Sequence, residues 1–273
     1  VLGMTLHWMD FAMEILGAFW AEHWLLAILM LGAIAFVAGF VDSIAGGGGL
    51  FLVPGFLLVG MPPQVALGQE KLVSTVGTLA AIRNFLANSK MVWQVALVGV
   101  PFSLLGAYLG AHLIVSISQE TVGKIILALI PFGILIFLTP KDRPVAEREL
   151  SSRMLYTVVP LTCLAIGFYG GFFGPGTRSM FIIAFHYLLR MDLVSSSANS
   201  KTFNFASNIG ALVAFVIAGK VVYLLALPLV ACNILGNHLG SALALRKGNE
   251  VVRKALVFSM LCLFTSLGVK YLA

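Results

Sequence analysis

Charge is scarce in this chain. Only 10% of its 273 residues are Asp, Glu, Lys or Arg, where an ordinary globular domain carries about 25%. Hydrophobic residues make up 60%, and the mean hydropathy is +1.01. No soluble fold of this length could hide that much apolar surface. Cysteine is scarce too: Cys163, Cys232 and Cys262 are odd in number, lie within apolar runs and form no CxxC spacing. They are expected to pack as small residues between helices. His7, His23, His112, His186 and His238 show no metal-binding pattern, and Gly-x-Ser-x-Gly, Walker A and His-Glu-x-x-His motifs are all absent. No catalytic residue, metal or cofactor is therefore expected, and the chain is not expected to be an enzyme. Apolar residues run continuously rather than alternating, which excludes a barrel. The formal net charge of +6 comes from basic residues at the ends of apolar runs, the pattern of cytoplasmic loops rather than of a nucleic-acid surface.

What is present is a set of long apolar runs. Such runs are expected to be helices, because only a helix satisfies its own backbone where water is absent. The first extends from Trp24 to Ala45, and a short one from Leu50 to Gly60. Pro62-Pro63 opens a third, reaching about Ala87, since proline suits a first helical turn. Val92 to Val115 and Val122 to Thr139 follow. A polar stretch at 140–153 is expected to be a cytoplasmic linker between the two halves. Beyond it lie Met154 to Phe173, a short run from Ser179 to Leu189, Asp192 to Ala218, Val221 to Leu245, and Val251 to Leu272. Residues 1–23 mix Trp8 and Trp20 with Asp10, Glu14 and Glu22, which suits an interfacial segment. They have no basic start and no clear cleavage site, so a signal peptide is not expected.

The plan is stated twice. Gly46 to Gly49 interrupt the first half, and Gly174-Pro175-Gly176 interrupts the second. Each break precedes a short apolar run and then a helix carrying a lysine, Lys71 or Lys201, 130 positions apart. The same offset matches Lys90 with Lys220 and Gly106-Ala107-Tyr108-Leu109-Gly110 with Gly236-Asn237-His238-Leu239-Gly240, while the breaks match at 128. The expected fold is therefore an all-α integral membrane protein of two repeats, residues 24–139 and 154–273, each with about five apolar segments. Its helices are expected to be broken or re-entrant at the glycines. An odd number of crossings per repeat would turn the second repeat upside down. Positive residues would then place the linker in the cytoplasm and both termini outside.

Several polar residues fall inside this apolar frame. Lys71 and Lys201 lie about two turns into their helices, where a charge is costly unless paired or facing water. Ser74, Thr75 and Thr78 continue one stripe beyond Lys71; Asn204, Ser207 and Asn208 continue the other beyond Lys201. Gln69 and Asn199 just precede the lysines and add amide donors. Gly46, Gly47, Gly48, Gly49, Gly174 and Gly176, with Thr177, are expected to offer backbone amides at helix starts, a ready anion site. Arg178 follows the second break and either binds an anion by two parallel bonds or sits at the headgroups. Arg83 also lies within or beside an apolar segment. The acids are Asp42, beside the first break, and Glu70, beside Lys71, both candidates to carry a proton. As helix neighbours, Glu70 and Lys71 point apart, so a direct pair is not assured. Gly106, Gly110, Gly236 and Gly240 are expected to serve close helix packing.

Gly39-Phe40-Val41-Asp42-Ser43-Ile44-Ala45-Gly46-Gly47-Gly48-Gly49-Leu50 with Pro54, Gly167-Phe168-Tyr169-Gly170-Gly171-Phe172-Phe173-Gly174-Pro175-Gly176, and Asn199-Ser200-Lys201 through Asn204-Phe205-Ala206-Ser207-Asn208 together resemble the TauE/SafE family of bacterial membrane proteins, most closely its YfcA-like branch. The resemblance runs from about Leu31 to Leu272. It implies a multi-pass protein of the bacterial inner membrane that exports a small sulfur oxyanion or organosulfonate such as sulfite. Where relatives often read Thr-Asn-Lys, this chain has Gln69-Glu70-Lys71, and where a small residue usually follows Gly-Pro-Gly-Thr it has Arg178. The expectation is a secondary transporter working by alternating access, with a small anion and the bilayer as its partners and a homo-oligomer left open. An anion channel, or a membrane scaffold or sensor, are the rival expectations.

Overall fold

A computed structural model describes residues 23–88, 91–139 and 151–247. The N-terminal segment 1–22, most of the linker, Lys90, the side chain of Arg83 and the last apolar run from Val251 lie outside the described residues. Within them every regular element is helical. The helices are α1 (Trp24–Ala45), α2 (Gly49–Leu58), α3 (Pro63–Asn88), α4 (Trp93–Ser116), α5 (Gln119–Leu138), α6 (Val159–Phe172), α7 (Thr177–Tyr187), α8 (Leu193–Ile217) and α9 (Tyr223–Lys247).

The apolar runs become helices with small shifts at their ends. The structure starts α2 at Gly49 rather than Leu50 and α7 at Thr177 rather than Ser179, because glycine and threonine already take helical geometry on leaving the breaks. Asp192 lies outside α8 as its N-cap, its carboxylate accepting from Ser195 N at 3.0 Å, which satisfies one of the amides that a helix start leaves open. A π-helical turn, Met154–Val158, leads into α6, and Val159 N–H bonds Met154 O. Pro160 follows directly. Proline has no N–H and clashes with the carbonyl four residues back, so the ladder slips to the wider spacing there.

Five helical stretches are long and apolar enough to cross a membrane: Trp24–Ser43, Trp93–Ser116, Gln119–Ile136, Met154–Phe172 and Tyr223–Gly240. Helices α3 and α8 have 26 and 25 residues, long enough at about 1.5 Å per residue to span the roughly 30 Å hydrocarbon core. Their polar stripes keep them off that apolar set. Helices α2 and α7, of 10 and 11 residues, reach about half that depth. Their residues are almost all buried, as a broken helix at membrane depth requires. The molecule is apolar outside and polar within. Leu97 and Ile217 are 73% exposed and Leu227 is 68% exposed, whereas Glu70, Arg178 and Lys201 are 4% exposed and Lys71 is 1% exposed. That distribution fits lipid outside and a polar interior.

Two helix pairs make the closest packing, α4 with α6 and α1 with α9. A methyl at Gly106 would strike Leu164 O, and one at Gly236 would strike Phe36 O. Likewise Gly110 faces Phe168 O while Gly240 faces Phe40 O. Each contact in one pair has its counterpart in the other at the sequence offsets 130 and 128. The four glycines thus serve helix packing, as small residues do when backbones approach closely.

Candidate functional site

The two breaks meet in the middle of the molecule. At the first, Gly46 ends α1 with φ +70, and a side chain there would press on Arg178, whose Cδ would lie 2.7 Å from a Cβ at Gly46. At the second, Gly176 caps α7 at φ +87, a left-handed conformation that glycine takes without penalty. Thr177 Oγ1 donates to Gly174 O at 2.5 Å, and Tyr169 Oη donates to Pro175 O at 2.8 Å, fixing the turn. Between the breaks lies a cavity of about 20 Å³, counted as the space open to the centre of a water molecule.

Its wall brings together Asp42, Gly47, Gly48 and Gly49 from the first break with Gly174, Pro175, Gly176, Thr177 and Arg178 from the second. Glu70 and Ser74 of α3 and Asn204 and Asn208 of α8 complete it. Most of the residues singled out in the sequence meet here. Lys71, Lys201, Gly46, Thr75 and Asn199 stand behind the wall. Thr75 donates to Lys71 O at 2.6 Å and Asn199 Nδ2 to Ser195 O at 2.8 Å, each on its own helix, while Asn199 Oδ1 is buried without a hydrogen-bond partner among the described residues. The Gly46 and Gly47 amides are spent as well. Gly46 N donates to Asp42 O at 3.1 Å and Gly47 N to Asp42 Oδ1 at 3.2 Å, which makes Asp42 the brace of the first turn.

Glu70 and Lys71 do form a direct pair, at 2.8 Å between Oε2 and Nζ, deep inside the protein. The flexible lysine stem folds back and overcomes the divergence of neighbouring Cβ directions. Ser74 Oγ donates to Glu70 Oε1 at 2.9 Å, and Lys71 Nζ reaches Asn208 Oδ1 at 3.4 Å. Lys71 Nζ also lies against Gly174, where a side chain would collide with it. A lysine from the first half thus sits under the break of the second. Lys201 is buried within electrostatic reach of Arg178 and Asp42.

Arg178 does not reach for the headgroups. It is buried, and its Nη1 donates to Asp42 O at 2.6 Å. Its Nε is buried with no hydrogen-bond partner among the described residues. A buried donor without a partner is costly, and this one borders the cavity at the start of α7. There the first helical amides carry partial positive charge. Guanidinium, side-chain amides and helix start make this part of the wall rich in donors, the chemistry that meets oxyanions.

A model of the family described as "Sulfite exporter TauE/SafE" matches residues 31–267. The chain belongs to the TauE/SafE family. It is 36% identical over 239 residues to a "Probable membrane transporter protein" of Haemophilus influenzae, covering 85% of this chain and 90% of that protein. It is 33% identical to "Probable membrane transporter protein YfcA" of Escherichia coli K12 over 84% of this chain and 86% of that one. It is 35% identical to "Probable membrane transporter protein ORF9" of a Sinorhizobium species over 88% and 90%. No solved structure matches it. This TauE/SafE protein is a multi-pass membrane protein of the bacterial inner membrane, and its family consists of membrane transporters rather than enzymes.

Gln69, expected to add an amide donor, instead exchanges two hydrogen bonds with the backbone of Val222, each 3.1 Å, and so ties α3 to the start of α9. Two further polar residues went unremarked in the sequence. Asn233 and Asn237 of α9 are also buried, and Asn233 Nδ2 holds Ala35 O of α1 at 2.9 Å. Two amides four residues apart in an apolar span were the available signal.

Proposed function

We propose that the protein exports a small oxyanion, sulfite or an organosulfonate, by alternating access around the cavity between its two glycine breaks. The observation that carries this reading is the buried Arg178, which lines that cavity and whose Nε has no hydrogen-bond partner among the described residues. Around it, Asn204 and Asn208 supply neutral donors, and Lys71 and Lys201 supply charge from behind, while the Thr177 and Ser74 hydroxyls are held by Gly174 O and Glu70. The two halves act as inverted-topology repeats, with the linker in the cytoplasm. The paired packing of α4 on α6 and α1 on α9 supports a duplicated frame. The cavity supports a carrier over a channel, because a space this small passes nothing larger than water, and an anion enters only when one side opens. Broken helices whose starts face a midplane site are the usual way transporters bind anions.

The test is flux of labelled sulfite and of a small sulfonate in proteoliposomes. Wild-type protein should show slow, saturable flux. Arg178→Ala, Lys71→Ala and Lys201→Ala proteins, verified as folded, should lose it. Undiminished flux in these variants would overturn the assignment.

A further inference from the structure

We propose that Glu70 is a tethered rival of the substrate: its carboxylate holds Lys71 until an anion enters, and it takes up one proton from water as the anion binds. This rests on the anion reading above and assigns the coupling residue of that same site.

Three observations carry it. First, Glu70 already makes the contacts an oxyanion would make. Its Oε2 is on Lys71 Nζ at 2.8 Å and its Oε1 accepts from Ser74 Oγ at 2.9 Å. The α carbon of Gly49, the first residue of α2, is so close that a Cβ there would stand 3.1 Å from Oε1. An ammonium, a hydroxyl and a helix start therefore surround one carboxylate. Second, the space is full. A cavity of about 20 Å³ takes about one water, so no oxyanion of several heavy atoms fits while Glu70 stays in place. Third, Glu70 and Arg178 share the wall of that cavity. An anion drawn to Arg178 Nε comes up against the Glu70 carboxylate, and two like charges in one small dry site cannot both remain ionised.

Protonation resolves both problems. A neutral Glu70 no longer competes for Lys71, which is then free to turn one N–H to the anion, and the repulsion disappears. Asp42 is less suited to the task, because its Oδ1 braces Gly47 N and its own carbonyl accepts from Arg178. The charged groups that share the site with Glu70 are Lys71 on its own helix, Asp42 from α1 and Arg178 from α7, with Lys201 of α8 acting on Asp42 and Arg178 from behind. Helix α2 has no titratable residue, and Glu120 and Lys124 of α5 and His238 of α9 are exposed.

The test is binding of ethanesulfonate, whose charge is constant between about pH 5 and pH 8, to purified wild-type, Glu70→Gln and Glu70→Asn proteins. One proton taken up with the anion makes the wild-type Kd weaken about tenfold for each pH unit gained. Either amide variant should bind more tightly than wild type at neutral pH, with a Kd that does not change with pH. The Asn variant serves if the Gln variant does not fold. Infrared difference spectra should show a protonated carboxyl appearing as wild type binds, and none in the amide variants. A Kd in the variants that keeps the wild-type slope, or a wild-type Kd independent of pH, would overturn the role of Glu70 while leaving the anion site standing. If no protein binds any anion at any pH, the anion reading fails and this inference with it.

Discussion

Alanine at Gly174 and at Gly176 separates the functional content of the second break from its conformational content. Both glycines have positive φ, +96 and +87, so each substitution carries a comparable strain of about 1–3 kcal/mol. Their surroundings differ. The nearest atom to a methyl at Gly176 is Gly133 O at 3.4 Å, an ordinary contact, whereas a methyl at Gly174 runs into Lys71 Nζ. That collision has to move the ammonium, and overpacking of this kind costs about 1–3 kcal/mol more. If Lys71 is driven off Glu70, the parted buried charges raise the cost toward the ~3–5 kcal/mol of a broken buried pair. Gly174→Ala should therefore be about 1–3 kcal/mol less stable than Gly176→Ala, roughly five- to a hundredfold in the folding equilibrium. It should also bind anions more weakly by a larger factor. Equilibrium unfolding of the purified variants in mixed micelles, paired with sulfonate binding, reads both effects. Equal stability and equal binding in the two variants would refute the placement of Lys71 beneath the second break.

Other consequences follow from packing and hydrogen bonding. Gly106→Val and Gly236→Val should each destabilise the protein by about 1–3 kcal/mol, because their side chains meet Leu164 O and Phe36 O; Gly123→Ala, whose methyl meets only Pro63 Cγ at an ordinary 3.6 Å, is the control for unfolding assays. Gln69→Leu leaves the Val222 N–H and C=O without their buried partner, and should cost about 1–3 kcal/mol for each group, seen as a lowered denaturation midpoint with little change in anion affinity per folded molecule. Arg178→Lys keeps the charge but loses Nε, the planar fork and the Nη1 bond to Asp42 O, so anion affinity should fall about tenfold or more, measurable by titration calorimetry.

The parts of the fold that the sequence made legible are those governed by simple periodic or conformational demands. The first helix runs from Trp24 to Ala45 as its apolar run does, because a continuous apolar stretch before four glycines has no other satisfied conformation. The packing role of Gly106, Gly110, Gly236 and Gly240 followed from their spacing. What stayed hidden depends on where long side chains go. Helical spacing places Cβ atoms, and Lys71 has a long flexible stem that lets its ammonium double back to Glu70. The polar stripe after Lys71 was expected to face the ligand as a unit, yet Thr75 turns to the carbonyl of its own helix and Ser74 to Glu70. The amides of Gly46 and Gly47 looked available until Asp42, four and five residues back, was seen to take them. Arg178 could have pointed to headgroups or inward. Burial of nearly all of α7 decides it, and burial is a tertiary fact that no local pattern carries.

The most direct measurement is counterflow in proteoliposomes loaded with unlabelled sulfite and diluted into labelled sulfite. A carrier that alternates around the cavity between the glycine breaks should accumulate label transiently above its equilibrium level, with uptake that saturates and is lost in Arg178→Ala. A steady anion current that rises linearly with voltage, with no acceleration by sulfite on the opposite side, would contradict alternating access.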